Sequence, residues 1–130
     1  GSVLFYPYPL PVYPEVSYKA SGRVPYTKRV KEILEHPSFS RLAQINQLGL
    51  LNLVYPGATH SRFEHCLGTF SNTCHYLRAL YYDELNPMFQ SIMSVENMKC
   101  ALLTSLLHDI GQYPLCHDIE ELRMAKVAKD

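Results

Sequence analysis

Residues 61–81 read SRFEHCLGTFSNTCHYLRALY, and this stretch decides the fold. Ser61 followed three positions later by Glu64 forms a capping box: the serine oxygen takes the Glu64 amide, and the glutamate reaches back to the Ser61 amide. Beyond that cap Phe63, Cys66, Leu67, Phe70, Cys74, Leu77 and Tyr81 recur at intervals of three and four residues, which lays them on one face of a helix about five turns long. A helix with one apolar stripe must bury it against other elements. The stretch therefore predicts a helical bundle.

Reading downstream, Asn86-Pro87 closes this segment. Another helix opens near Ser94 or Glu96 and runs through KCALLTSLLHDI to Gly111. Its centre is apolar nearly all round, so it is expected to be the core helix of the bundle. A polar, amphipathic stretch from Ile119 to Lys129 can form a further helix. Upstream, Thr27 can cap a short helix that ends at His36-Pro37, and Pro37 suits the first position of the next helix. That second helix is expected to carry Phe39, Leu42, Ala43, Ile45 and Leu48 as an apolar stripe and to stop at Gly49, a left-handed terminator. In LLNLVYPGATH, Pro56-Gly57 forces a turn that delivers the chain to His60. No segment alternates as a strand does, and no internal repeat is present, so the fold class is all-α.

The remaining N-terminal part differs in kind. Residues 3–18, VLFYPYPLPVYPEVSY, interleave prolines with tyrosines, which blocks helix and favours extended or polyproline II backbone. Residues 1–24 are thus read as an extended arm that lays its aromatics on the domain or serves as a Pro-rich ligand for a partner. Residues 25–130 are read as the domain itself. A chain of 130 residues with 47% hydrophobic and 18% charged side chains can bury a core without disulfides or a structural metal. Twelve basic and twelve acidic side chains give zero formal charge, which disfavours bulk binding to nucleic acid or to an anionic membrane. The positive run Lys19, Arg23, Lys28, Arg29 and Lys31 leaves a local nucleic-acid or phosphate contact open, with a solvated face as its ordinary reading. Cys66, Cys74, Cys100 and Cys116 form no C-x-x-C pair and are read as reduced core thiols. No secretory signal or apolar run of membrane-spanning length is present in the sequence, and a cytoplasmic protein is expected.

The chemistry gathers at His108 and Asp109, immediately before Gly111. Neighbours on a helix diverge by about 100°, yet an imidazole and a carboxylate can converge on an ion lying off the helix shoulder. His65, in the first turn of the capped helix, can supply a third ligand from another element. Arg62, three residues before it, shares its face. Mixed nitrogen and oxygen donors suit a borderline or hard divalent ion, such an ion acidifies water, and an arginine beside a helix N-terminus can hold phosphate. Each residue also has a plainer reading: a hydrogen-bonded pair at a helix end, a core histidine, a surface charge.

The surrounding text favours the chemical reading. His36-Pro37-Ser38-Phe39-Ser40-Arg41-Leu42, Gln47-Leu48-Gly49, Val54 through Gly68 (VYPGATHSRFEHCLG) and Leu107-His108-Asp109-Ile110-Gly111 with Pro114 and His117 together closely resemble the HD-domain phosphohydrolases. More narrowly they are similar to the branch that includes deoxynucleoside triphosphate triphosphohydrolases. The resemblance spans roughly residues 25–120. It implies an HD-domain helical bundle and a divalent metal ion (Mn, Fe, Mg, Zn or Ni) held by His65, His108 and Asp109. It further implies that Arg62 contacts substrate phosphate, that Gln47 lines the nucleotide pocket, and that His117 sits on the pocket rim and can protonate the leaving group. His60 would organise the loop before the capped helix. The implied partner is a nucleotide or phosphoester substrate, with no membrane, and homo-oligomers are common in the family.

Two positions depart from the family pattern. Gln112 stands where triphosphohydrolases of the family usually carry a histidine, and an amide cannot shuttle a proton. The family's fourth ligand is an aspartate on a later helix. Asp118 lies too close to His108 to match it, and Asp130 has no motif around it. With Gly1-Ser2 resembling a cloning scar, the sequence is read as the N-terminal part of a larger HD protein whose domain continues beyond residue 130. The expected function is metal-dependent phosphohydrolysis of a nucleotide or related substrate; an HD-fold nucleotide-binding or regulatory module is the competing reading. An HD-type oxygenase with two irons would need further His and Asp ligands that the sequence does not supply.

Overall fold

A computed structural model of the chain describes residues 16–18, 22–24 and 27–115. Two three-residue strands, β1 (Val16–Tyr18) and β2 (Gly22–Val24), pair antiparallel, with Val16 opposite Val24 and Tyr18 opposite Gly22. Everything else regular among the described residues is helical: α1 (Lys28–Glu35), α2 (Pro37–Ser40), α3 (Arg62–Tyr81), α4 (Met88–Ile92) and α5 (Val95–Leu107), with 3₁₀ turns at Arg41–Gln44 and Gly49–Leu53. The all-α expectation holds for the domain. The small ribbon in the arm corrects the expectation of no strand, because three-residue strands are too short to display a period-two pattern. Residues 1–15 of the arm and the expected helix from Ile119 to Lys129 lie outside the described residues.

The caps form where the sequence puts them. Thr27 Oγ1 accepts the Val30 amide at 3.4 Å, and Ser94 Oγ accepts the Asn97 amide at 3.1 Å. At α3 both halves of the capping box are made, Glu64 N to Ser61 Oγ at 3.2 Å and Ser61 N to Glu64 Oε2 at 2.9 Å. Such a cap satisfies orphan amides at the helix start and is worth about 1 kcal/mol.

The core is the seam between α3 and α5. Cys66, Leu67, Phe70 and Leu77 of α3 meet Met98, Leu102 and Leu106 of α5, while Leu34, Phe39, Leu42 and Ile45 close the cluster from the N-terminal side. Phe63, Cys74 and Tyr81 pack against it half-buried, so the stripe read from residues 61–81 is the buried face. Phe39 is fully buried, and its ring stands edge-on to Phe63 with centroids 5.3 Å apart.

Other expectations are corrected as well. The second helix does not continue to Gly49: α2 tightens into the 3₁₀ turn Arg41–Gln44, and Ile45 is extended. The cause is a return contact across the domain, in which Arg62 N donates to Ile45 O at 2.8 Å and Gln47 N donates to His60 O at 3.0 Å around an Asn46–Ser61 bridge. Ala43 and Leu48 consequently leave the stripe and are exposed. Gly49 has the left-handed φ of 53°, but there it starts the Gly49–Leu53 turn. Finally, α5 ends at Leu107 and buries one face only among the described residues. Leu103 is 45% exposed and Cys100 faces out, so Cys100 is no core thiol.

Candidate metal centre

The end of α5 and the start of α3 meet beside the capping box. His108 is the C-cap of α5, its amide donating to Thr104 O, and Asp109 occupies the following turn. His65 sits in the first turn of α3. His65 Nε2 and His108 Nε2 lie 3.2 Å apart, and Asp109 Oδ2 lies 3.8 Å from the former and 3.6 Å from the latter. Adjacent residues at a helix end therefore do converge on one point, with a third donor from α3.

The donor set fits a divalent cation. Ligand bonds of about 2.1 Å at angles of about 90–110° put donor atoms about 3.0–3.5 Å apart, close to the separations found. His108 Nδ1 lies 2.9 Å from Ser105 O. A carbonyl only accepts, so Nδ1 carries a proton, and in the neutral ring this leaves the Nε2 lone pair facing the cluster, the arrangement typical of metal-binding histidines. Partial burial pushes the His65 pKa below its ordinary 6.5. The Asp109 carboxylate opposes the shift, and His108, Arg62 and His60 reinforce it. A neutral imidazole is the form that can ligate.

Arg62 is 2% exposed, and its Nη1 donates to Asp109 Oδ2 at 3.0 Å. The guanidinium balances the buried carboxylate and aims it at the two imidazoles. Cys66, fully buried next to His65, is pushed up to about 11, chiefly by burial and then by the Asp109 charge. It is a protonated core thiol and no competitor for the site. Gln47 lies beside the start of α3 through the backbone pairing of residues 45–47 with 60–62. Its Oε1 is buried with no hydrogen-bond partner among the described residues. His60 contributes its carbonyl to that pairing, an organising role. A cavity of about 550 Å³ opens between α3 and α5, bordered by Thr69, Thr104, Ser105 and His108.

The structure thus brings His65, His108, Asp109 and Arg62 together, sets Gln47 and His60 beside them, and leaves His117 outside the described residues. One contact escaped the sequence reading. Arg41 donates from Nη1 to Gln112 O at 2.8 Å and from Nη2 to Ile110 O, clasping the turn that follows Asp109. Its position between the core residues Phe39 and Leu42 was the available signal. Among the described residues, no helix is long and apolar enough to cross a membrane.

Comparison with known proteins gives a consistent relationship. No protein-family model matches the chain. The human deoxynucleoside triphosphate triphosphohydrolase SAMHD1 is 35% identical over 96 residues, which cover 74% of this chain and 15% of that protein. An HD domain-containing protein of Acanthamoeba polyphaga mimivirus is 27% identical over 114 residues, covering 82% of this chain and 25% of the relative. A crystal structure of a phosphohydrolase from Bacteroides thetaiotaomicron superposes with a TM-score of 0.69 at 31% identity, covering 82% of this chain and 25% of that one. The chain spans a quarter or less of the length of these relatives. With a helical bundle of matching shape and sequence likeness across most of its length, the chain is related to the HD-domain phosphohydrolases.

Proposed function

We propose that the whole protein is a metal-dependent phosphohydrolase acting on a nucleotide or a related phosphoester or phosphoanhydride, with residues 25–130 forming part of its HD domain. The observation that carries this reading is the convergence of His65 Nε2, His108 Nε2 and Asp109 Oδ2 within 4.8 Å of one another. The chemistry a divalent ion supplies when bound there is charge neutralisation at phosphorus and acidification of water near neutral pH. His65 would ligate as a neutral imidazole, and His108 would be held in the ligating tautomer by the Ser105 carbonyl. Arg62 would keep Asp109 oriented and add positive charge that stabilises the phosphoryl oxygens. Gln47 Oε1, buried and without a hydrogen-bond donor among the described residues, would accept a hydrogen bond from a substrate hydroxyl. His117 is assigned the leaving-group proton. A downstream aspartate would complete the ligand set.

A second reading, an HD-fold nucleotide-binding or regulatory module, is favoured by Gln112, whose amide cannot transfer a proton. One experiment separates the two. The whole protein is offered a panel of nucleotides with Mn²⁺, and release of phosphate, pyrophosphate and triphosphate is followed alongside binding. Turnover that disappears in Asp109→Asn supports the hydrolase, and tight binding without release supports the module. Absence of both binding and release contradicts each of them.

A further inference from the structure

We propose that Arg41 is a positioning residue for the metal centre, acting through the backbone of the turn that carries His108 and Asp109. The inference rests on the reading that this cluster holds a divalent cation. The last carbonyls of a helix have no partner within it. In the turn after α5, Leu107 O and Asp109 O are taken by the Ile110 and Gln112 amides at 3.0 Å. Ile110 O and Gln112 O, on either side of Gly111, are instead taken by the two terminal nitrogens of one guanidinium that lies about 70 positions earlier in the chain. A planar fork can bridge two carbonyls at a fixed spacing, whereas the ammonium of lysine offers a single centre.

The arginine is itself fixed at its base. Phe39 and Leu42 on either side of it are completely buried, and the 3₁₀ turn it opens packs on α3. Arg41 therefore ties the segment bearing Asp109 to the same core that fixes His65. This matters to a ligand set because His108 and Asp109 lie at and beyond the last turn of α5, where regular helical hydrogen bonding has ended. The guanidinium touches none of the three donor atoms. Its effect on them is geometric, of the kind exerted by partners that orient metal ligands, where loss costs about 10- to 100-fold in affinity.

The test is the Mn²⁺ dissociation constant of the metal-stripped whole protein, measured by isothermal titration calorimetry for wild type, Arg41→Ala, Arg41→Lys and Lys99→Ala. Lys99 pairs with Glu96 on the exposed face of α5 and controls for loss of a positive charge. Urea unfolding of each metal-free variant runs in parallel. Both Arg41 variants are expected to weaken Mn²⁺ binding at least tenfold (about the lower bound for such partners) while unfolding cooperatively without metal, and Lys99→Ala is expected to bind like wild type. Wild-type affinity in Arg41→Ala, full affinity in Arg41→Lys, or loss of cooperative unfolding in both variants would overturn the proposal. A wild-type protein that binds no Mn²⁺ would instead defeat the reading of the cluster on which the proposal stands.

Discussion

Replacing Arg62 by leucine should be among the most damaging single changes in this domain even when no metal is present. The guanidinium is 2% exposed, the Asp109 side chain 12%, and their nitrogen and oxygen lie 3.0 Å apart. At an effective dielectric of about 20 the pair attracts by about 5 kcal/mol, much of which offsets the cost of removing both charges from water. Deleting one partner retains the desolvation cost and loses the attraction, a penalty of about 3–5 kcal/mol. With a urea m-value of about 2 kcal/mol/M, Arg62→Leu in chelator-containing buffer should lower the unfolding midpoint by about 1.5–2.5 M. Asp109→Leu should cost a similar amount, and the double variant much less than the sum, since apolar replacement of a whole buried pair is often close to neutral. Far-ultraviolet circular dichroism under urea titration supplies the readout. A shift below about 0.5 M for Arg62→Leu, or simple additivity in the double variant, would refute the argument that this is a coupled buried pair.

Three other outcomes test separate parts of the structure. Ser61→Ala removes one half of the capping box and should cost about 1 kcal/mol in thermal or urea unfolding, with Ser61→Asp retaining most of the stability. Burial pushes the Cys66 and Cys74 thiols up to about 11 from an ordinary 9.0. The stability that this shift contributes is full below pH 9.0 and is lost as pH rises through about 11, so the urea midpoint should fall across that window. Below pH 9.0, iodoacetamide should modify the exposed Cys100 well before Cys66 or Cys74, as read by peptide mass spectrometry; equal rates would contradict the packing described here.

How much of this was legible in the sequence depended on how local the cause was. The α3 cap and stripe were readable because a capping box and a 3.6-residue period are set by residues a few positions apart. The convergence of His65 with His108 and Asp109 was anticipated because His65 follows the α3 cap and the His108-Asp109 pair was expected at the end of the apolar α5, although that helix stops at Leu107, before Gly111. The interruption of the second helix was not legible. Ile45 and Leu48 suit a helical stripe, but the amides of Arg62 and Gln47 draw residues 45–47 into pairing with 60–62, and that competition is tertiary. The role of Arg62 was only half readable: its shared face with His65 follows from spacing, whereas its 3.0 Å bond to Asp109 requires α3 and α5 to be packed together. Arg41 escaped for the same reason, since its carbonyl partners lie about 70 residues away.

The central claim is that His65, His108 and Asp109 hold a divalent cation, and elemental analysis of the purified whole protein by mass spectrometry tests it most directly. Wild type should carry a transition metal in a fixed ratio to protein, retained through gel filtration, and His65→Ala, His108→Ala and Asp109→Ala should each lose it while Cys100→Ala keeps it. Metal-free wild type that also fails to take up Mn²⁺, or metal retained at wild-type stoichiometry in all three ligand variants, would contradict the claim.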